Sequence, residues 1–234
     1  MVLQVRGRET DLGDGFRVSR LLPSAACRSV GPFVFLDYFG PTRIEPAANI
    51  DVRPHPHIGL ATVTYLYEGA MLHRDSLGSV QRIEPGAINW MSAGRGIVHS
   101  ERRPEDLRQS VYGLHGLQLW VALPRDLEES EPSFVHTPAA QLPRLVEQGV
   151  DVRVLVGAAF DRTSPVRTSS ATLLIALALG RGARLGLPRL APQVAVLPLA
   201  GDLDVDGERI PRGTLAVPDP APGVTLQSDD AARS

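Results

Sequence analysis

The chain has 234 residues, 43% of them hydrophobic, enough to bury one large core or two small ones. Its formal net charge of −2 gives no electrostatic case for binding nucleic acid or an anionic membrane. Every basic residue is Arg, which excludes a Lys nucleophile or Schiff base, and the single cysteine, Cys27, excludes an intrachain disulfide.

The N-terminal residues Met1-Val2-Leu3-Gln4-Val5-Arg6 lead into acidic, Gly-rich sequence without an apolar h-region, so no secretory signal is expected. The longest apolar run, Ala171 to Leu179, is too short to span a bilayer. A cytoplasmic protein is the expectation. Phe16 to Leu22 alternates weakly, as a strand would. Phe33 to Phe39, bracketed by Gly31-Pro32 and Gly40-Pro41, reads as a buried strand, and Pro46 to Ile50 as a loop.

From Arg53 the chain becomes a series of short strands. Leu60–Tyr67, Met71–Ser76, Val80–Ile83, Ala87–Met91, Ile97–Glu101 and Gly113–Leu123 are separated by Gly and Pro turns. This rhythm indicates an antiparallel sandwich or barrel. Residues 124–147 are charged and punctuated by Pro, and read as a linker between an N-terminal domain, 1–123, and a C-terminal domain, 148–234. The second domain repeats the rhythm at Val152–Val156, Ala171–Leu179 and Val194–Leu199. Asp202, Asp204 and Asp206 alternate ahead of Gly207. They resemble the start of a calcium loop, but a polar hairpin with an Asp-Gly turn fits better, because no flanking helices are evident.

Two pairs stand out in the first domain: His55-Pro56-His57 and His99-Ser100-Glu101. Residues i and i+2 of a strand point to one face. If the two strands lie side by side, His55, His57, His99 and Glu101 converge on one interior point. Three imidazoles and a carboxylate suit a first-row transition metal rather than calcium or magnesium, and zinc would also accept them. No His or Cys follows His136, so the second domain cannot repeat this site. His73 reads equally as a partner of the site or as an ordinary buried or surface histidine. His115 reads as structural and His136 as exposed in the linker. Trp90 and Trp120 read as core, and Cys27 as inert.

The stretch His55-Pro56-His57-Ile58-Gly59-Leu60-Ala61-Thr62-Val63-Thr64-Tyr65 resembles the signature of the pirin family, within the cupin superfamily. So do Leu72-His73-Arg74-Asp75-Ser76-Leu77-Gly78, Trp90 to Glu101, and His115-Gly116-Leu117-Gln118-Leu119-Trp120-Val121. Gly31 to Phe39 matches the segment that precedes the metal motif in such proteins. The resemblance implies an all-β bicupin: two antiparallel β-barrel (jelly-roll) domains, with metal only in the first. It carries the family's ligands onto His55, His57, His99 and Glu101, with Fe(2+) as the metal and other divalent transition metals as alternatives.

Some family members are similar to quercetin 2,3-dioxygenases, so the implied activity is an oxidoreductase opening a flavonol or similar small aromatic substrate with O₂. Glu101 is then both ligand and general base. The alternative is a non-enzymatic, iron-dependent, redox-sensing interaction or transcriptional co-regulatory protein, with no partner identified. Two departures stand out. Ala61 replaces the usual Glu, which predicts looser ligand orientation. The end at Ala231-Ala232-Arg233-Ser234 predicts a shortened second domain.

Overall fold

The computed structural model describes residues 1–13, 15–219 and 223–229. Among them the chain is nearly all β, with three single-turn 3₁₀ segments and no α-helix. The strands are β1 (Leu3–Arg6), β2 (Arg8–Asp11), β3 (Arg17–Leu22), β4 (Phe33–Ile44), β5 (Val52–His57), β6 (Leu60–Glu68), β7 (Met71–Asp75) and β8 (Val80–Ile83). Then come β9 (Ile88–Ser92), β10 (Ile97–Arg102), β11 (Tyr112–Ala122), β12 (Ser133–Thr137), β13 (Arg144–Glu147), β14 (Val150–Val156), β15 (Ala158–Ala159) and β16 (Arg162–Thr163). The last are β17 (Leu174–Leu179), β18 (Arg184–Pro188), β19 (Leu203–Val205), β20 (Glu208–Ile210), β21 (Thr214–Val217) and β22 (Gly223–Ser228). None of the described helical segments is long and apolar enough to cross a membrane.

The chain divides into two compact units. One comprises Arg8–Leu22 and Pro32–Gln141. It holds a seven-stranded antiparallel sheet in the order β12-β9-β6-β11-β4-β3-β2, and a four-stranded antiparallel sheet in the order β5-β10-β7-β8. The two sheets face each other: His57 of β5 meets Trp120 of β11 at 5.0 Å, and the His73 ring of β7 stacks on Phe134 of β12 at 4.2 Å. An apolar cluster including Phe39, Leu66, Met71, Ile83 and Leu114 fills the space beyond. Each such side chain contributes about 1.5–3 kcal/mol by leaving water.

Two rows of side chains cross the inner face of the seven-stranded sheet. Strand register places Phe35, Trp120, Thr62, Met91 and Phe134 in one row. Two residues further along each strand, Asp37, Gln118, Thr64, Asn89 and His136 form a second, polar row, and Arg20 of β3 extends it.

Three sequence expectations differ here. Gly40-Pro41, read as a strand end, lies inside β4, because Gly40 adopts φ +78° where a side chain would collide with the Leu114 carbonyl of β11. Residues 124–147, read as a linker, contain β12, which pairs with β9 and caps the sheet, and β13. Val194–Leu199 contributes only an isolated bridge from Val196 to Ala216.

The other unit comprises Met1–Gly7, Pro23–Gly31 and the chain from Leu142 onward. It holds the sheets β13-β14-β17 and β18-β22-β19-β20 and the pairs β1–β21 and β15–β16. Strand β1, at the start of the sequence, runs antiparallel to β21, with Leu3 opposite Val217. Val2, Leu187, Val205, Ile210, Ala216, Val224 and Leu226 form its core. The Asp206-Gly207 turn between β19 and β20 has both residues at positive φ, as expected of a polar hairpin. The end of the chain at Ala231–Ser234 lies outside the described residues.

Candidate metal centre

Strands β5 and β10 are neighbours, antiparallel, with His99 opposite His55 and Ile97 opposite His57. The alternation that brings His55 and His57 to one face thus sets them beside His99. Their ring centroids lie 4.5–4.9 Å apart, and one nitrogen from each ring falls within 4.8 Å of the others. The turn leading into β10 is held tightly: Gly94 sits at φ +49° where a Cβ would strike the Ser130 carbonyl.

Glu101 stands apart from this triangle. A bulge between His99 and Glu101 shifts the register, and the carboxylate Oε1 lies 3.3 Å from His99 Nδ1. Glu101 is nonetheless buried, and burial pushes its carboxyl up to about 8.

The donors fit a transition metal by their protonation. Burial, reinforced by His55, pulls His57 down to about 4. Burial, with the neighbouring imidazoles, pulls His99 down to about 2. Both rings are therefore neutral near pH 7, the form that offers a lone pair to a metal.

Behind His99 lies a second layer. His73, opposite Glu101 on β7, approaches His99 Nδ1 to Nδ1 at 3.4 Å, and its Nε2 meets Asp75 Oδ2 at 2.9 Å. Burial lowers the His73 pKa against the opposing pull of Asp75, so this ring is neutral too. Asp75 is pushed up by burial, but the hydrogen bonds from His73 and Ser79 outweigh this and leave it below its usual value. Trp120 closes the centre edge-on to His57, and Phe35 stacks on Trp120 at 4.0 Å. The Arg20 guanidinium lies over Phe35 at 4.5 Å and is clamped to Asp37 by two hydrogen bonds of 2.8 and 2.9 Å.

A cleft of about 360 Å³ adjoins the ligand strands, lined by Pro56, His57, Ile58, Ser76, Gly96, Ile97 and Val98. Pro56 and Val98 alternate with the histidines, so it lies behind the ligand strands rather than over them.

A family model described as Pirin matches residues 15–121. A pirin-like protein of Caulobacter vibrioides is 45% identical over 222 residues, covering 94% of this chain and 76% of that protein. The chain belongs to the pirin family. A crystal structure of quercetin 2,3-dioxygenase from Acinetobacter baumannii superposes with a TM-score of 0.89 at 32% identity, covering 98% of this chain and 76% of that one. The bacterial pirin YhhW of Escherichia coli, solved in complex with nickel(II), shares the fold, with a TM-score of 0.69 at 16% identity and coverage of 98% and 94%.

Within this pirin scaffold the structure brings together His55, His57 and His99, with Glu101 beside His99. Ala61 occupies the opposite face of β6 from Thr62, in register with Val121 and Ser92, so its small side chain is turned away from the centre. The expected loosening through this position has no structural basis. His136, expected to be exposed, is partly buried on β12 and bonds Asn89 Oδ1 at 2.7 Å. His115 packs against the rings of Tyr38 and Tyr67, as a structural residue would. Trp90 is core, its Nε1 donating to Ser92. Sequence reasoning missed Asp75 and the stack on Trp120. Asp75 had a visible signal: His73-Arg74-Asp75 is a third i, i+2 pair of ligand-type residues.

Proposed function

We propose that this pirin is a metal-dependent oxidoreductase of the quercetin 2,3-dioxygenase type, acting on a flavonol or similar small aromatic substrate with O₂. The observation that carries this is the triangle of imidazoles, two of them buried and neutral and His57 walled by Trp120, in a chain that resembles a quercetin 2,3-dioxygenase over nearly its whole length. His55, His57 and His99 would hold the ion, with Glu101 as fourth donor. Fe(2+) is the metal of choice for O₂ chemistry with such a set. A metal bound there would lower the pKa of a substrate hydroxyl and supply the redox partner for O₂.

The remaining chemistry belongs to the chain. Glu101, protonated at neutral pH while buried, takes the role of general base once ionised, and its burial makes it a strong acceptor for a hydroxyl proton. Trp120, backed by Phe35, gives a flat apolar wall beside His57. Two jelly-roll barrels and a cytoplasmic location go with this reading.

The test is anaerobic reconstitution with Fe(II), then oxygen uptake with quercetin, with His57→Ala as control. Metal-dependent uptake lost in the variant supports the dioxygenase, and Glu101→Gln should then lose turnover while retaining much of its iron. An iron-dependent interaction protein is the second reading. The cleft behind the ligand strands, rimmed by exposed Ile58 and Val98, favours it. Tight iron binding without oxygen uptake would move the weight there.

A further inference from the structure

We propose that Asp75 and His73 form a positioning relay that fixes the tautomer of His99, and thereby decides which of its nitrogens is available to a metal ion. The inference rests on the metal-centre reading above and deepens it. Asp75 is itself fixed: its Oδ1 accepts the backbone N–H groups of Leu77 at 2.9 Å and Ser79 at 3.0 Å. Its Oδ2 lies 2.9 Å from His73 Nε2. An ionised carboxylate only accepts, so His73 carries its proton on Nε2 and leaves a lone pair on Nδ1. Phe134, stacked 4.2 Å away and 11° from parallel, holds the ring in that orientation.

The consequence passes to the next ring. His73 Nδ1 and His99 Nδ1 are 3.4 Å apart. Two ring nitrogens can share a hydrogen bond only if one carries the proton, and His73 Nδ1 does not. His99 therefore donates from Nδ1 and keeps its lone pair on Nε2. That Nε2 faces His57 Nε2 at 3.0 Å, on the side where the three imidazoles converge. A carboxylate–imidazole pair behind a ligand histidine orients it and raises its basicity. Here the support runs through a second histidine. Glu101 Oε1, 3.3 Å from His99 Nδ1, is the competing partner of that nitrogen, as an acceptor or, while the carboxyl is protonated, as an O–H donor, and the test must separate the two.

Asp75→Asn separates them without changing shape. Its carbonyl continues to accept from Leu77 and Ser79, which turns the amide NH₂ toward His73 Nε2. A donor there forces the His73 proton to Nδ1, against His99 Nδ1, and drives His99 to the Nε2–H tautomer. Two-bond ¹H–¹⁵N correlation spectra of the metal-free, histidine-labelled chain read both tautomers directly. The wild type is expected to show Nε2–H at His73 and Nδ1–H at His99, and the variant the reverse at both. Anaerobic titration with Fe(II) alone should show Kd raised about 10–100-fold in the variant.

Nδ1–H at His73 in the wild type overturns the relay. So does a variant in which His73 reverses while His99 does not, since Glu101 would then set the tautomer. An unchanged Kd with both rings reversed also overturns it. Failure of the wild type to bind Fe(II) sinks the metal-centre reading instead, while its tautomers still decide the relay. If the variant does not fold, the wild-type spectrum still overturns the relay should it show Nδ1–H at His73 or Nε2–H at His99.

Discussion

His57 and His99 face each other across β5 and β10 with their Nε2 atoms 3.0 Å apart, both held neutral by burial. This arrangement makes metal-free stability depend on pH in two directions. Below pH 6.5 the unfolded chain takes up protons on both imidazoles that the folded site refuses until about 4 and about 2, so stability falls as pH drops. Above pH 4.5 the unfolded chain releases the Glu101 proton that the folded site retains to about 8, so stability falls as pH rises. Two imidazoles outweigh one carboxyl between these limits, and the carboxyl acts alone above them. The contribution of the site should peak near pH 6.5. Thermal melts of chelator-treated protein from pH 5 to 9 check this, and Glu101→Gln should abolish the alkaline decline.

A ligating carboxylate must be ionised, and Glu101 titrates at about 8, so it is about nine-tenths protonated at pH 7 before metal binds. Fe(II) binding at pH 7 should therefore release close to one proton more in the wild type than in Glu101→Gln. The difference should vanish by about pH 9. Calorimetry in buffers of different ionisation enthalpy measures it. Equal release in the two proteins would mean that Glu101 stays off the metal.

Asp37 is only 2% exposed and is neutralised by the two-pronged contact with Arg20, itself partly open to solvent. Arg20→Met should cost about 2–3 kcal/mol, below the full penalty for a buried pair because Arg20 is not fully desolvated. Arg20→Met combined with Asp37→Leu should recover most of that loss, since no charge is then left buried. Urea unfolding of the single and double variants gives the comparison, and an additive double variant would show that the two residues act independently.

Much of the metal centre could be read from the sequence because its geometry is local. Alternation within β5 and within β10 needs no knowledge of the rest of the chain, and the Gly and Pro turns around them mark both as strands. His73 and Asp75 follow the same rule on β7. Their role was hidden because it depends on β7 lying beside β10, a pairing set by distant contacts. The polar row from Arg20 to His136 was invisible for the same reason: it draws single residues from six strands and exists only through register. Strand β12 was misread because prolines and charges flank Phe134-Val135-His136, although that run has strand character by itself.

Strand β1 is sequestered in a unit whose other strands lie at the far end of the chain. During synthesis Leu3–Arg6 must wait, unpaired and with an edge exposed, until Thr214–Val217 leave the ribosome. The unit with the histidines can condense earlier, because all its strands are complete by Thr137. Vectorial folding should thus finish the metal-binding half first and leave the other half as the stage most open to chaperones and to aggregation.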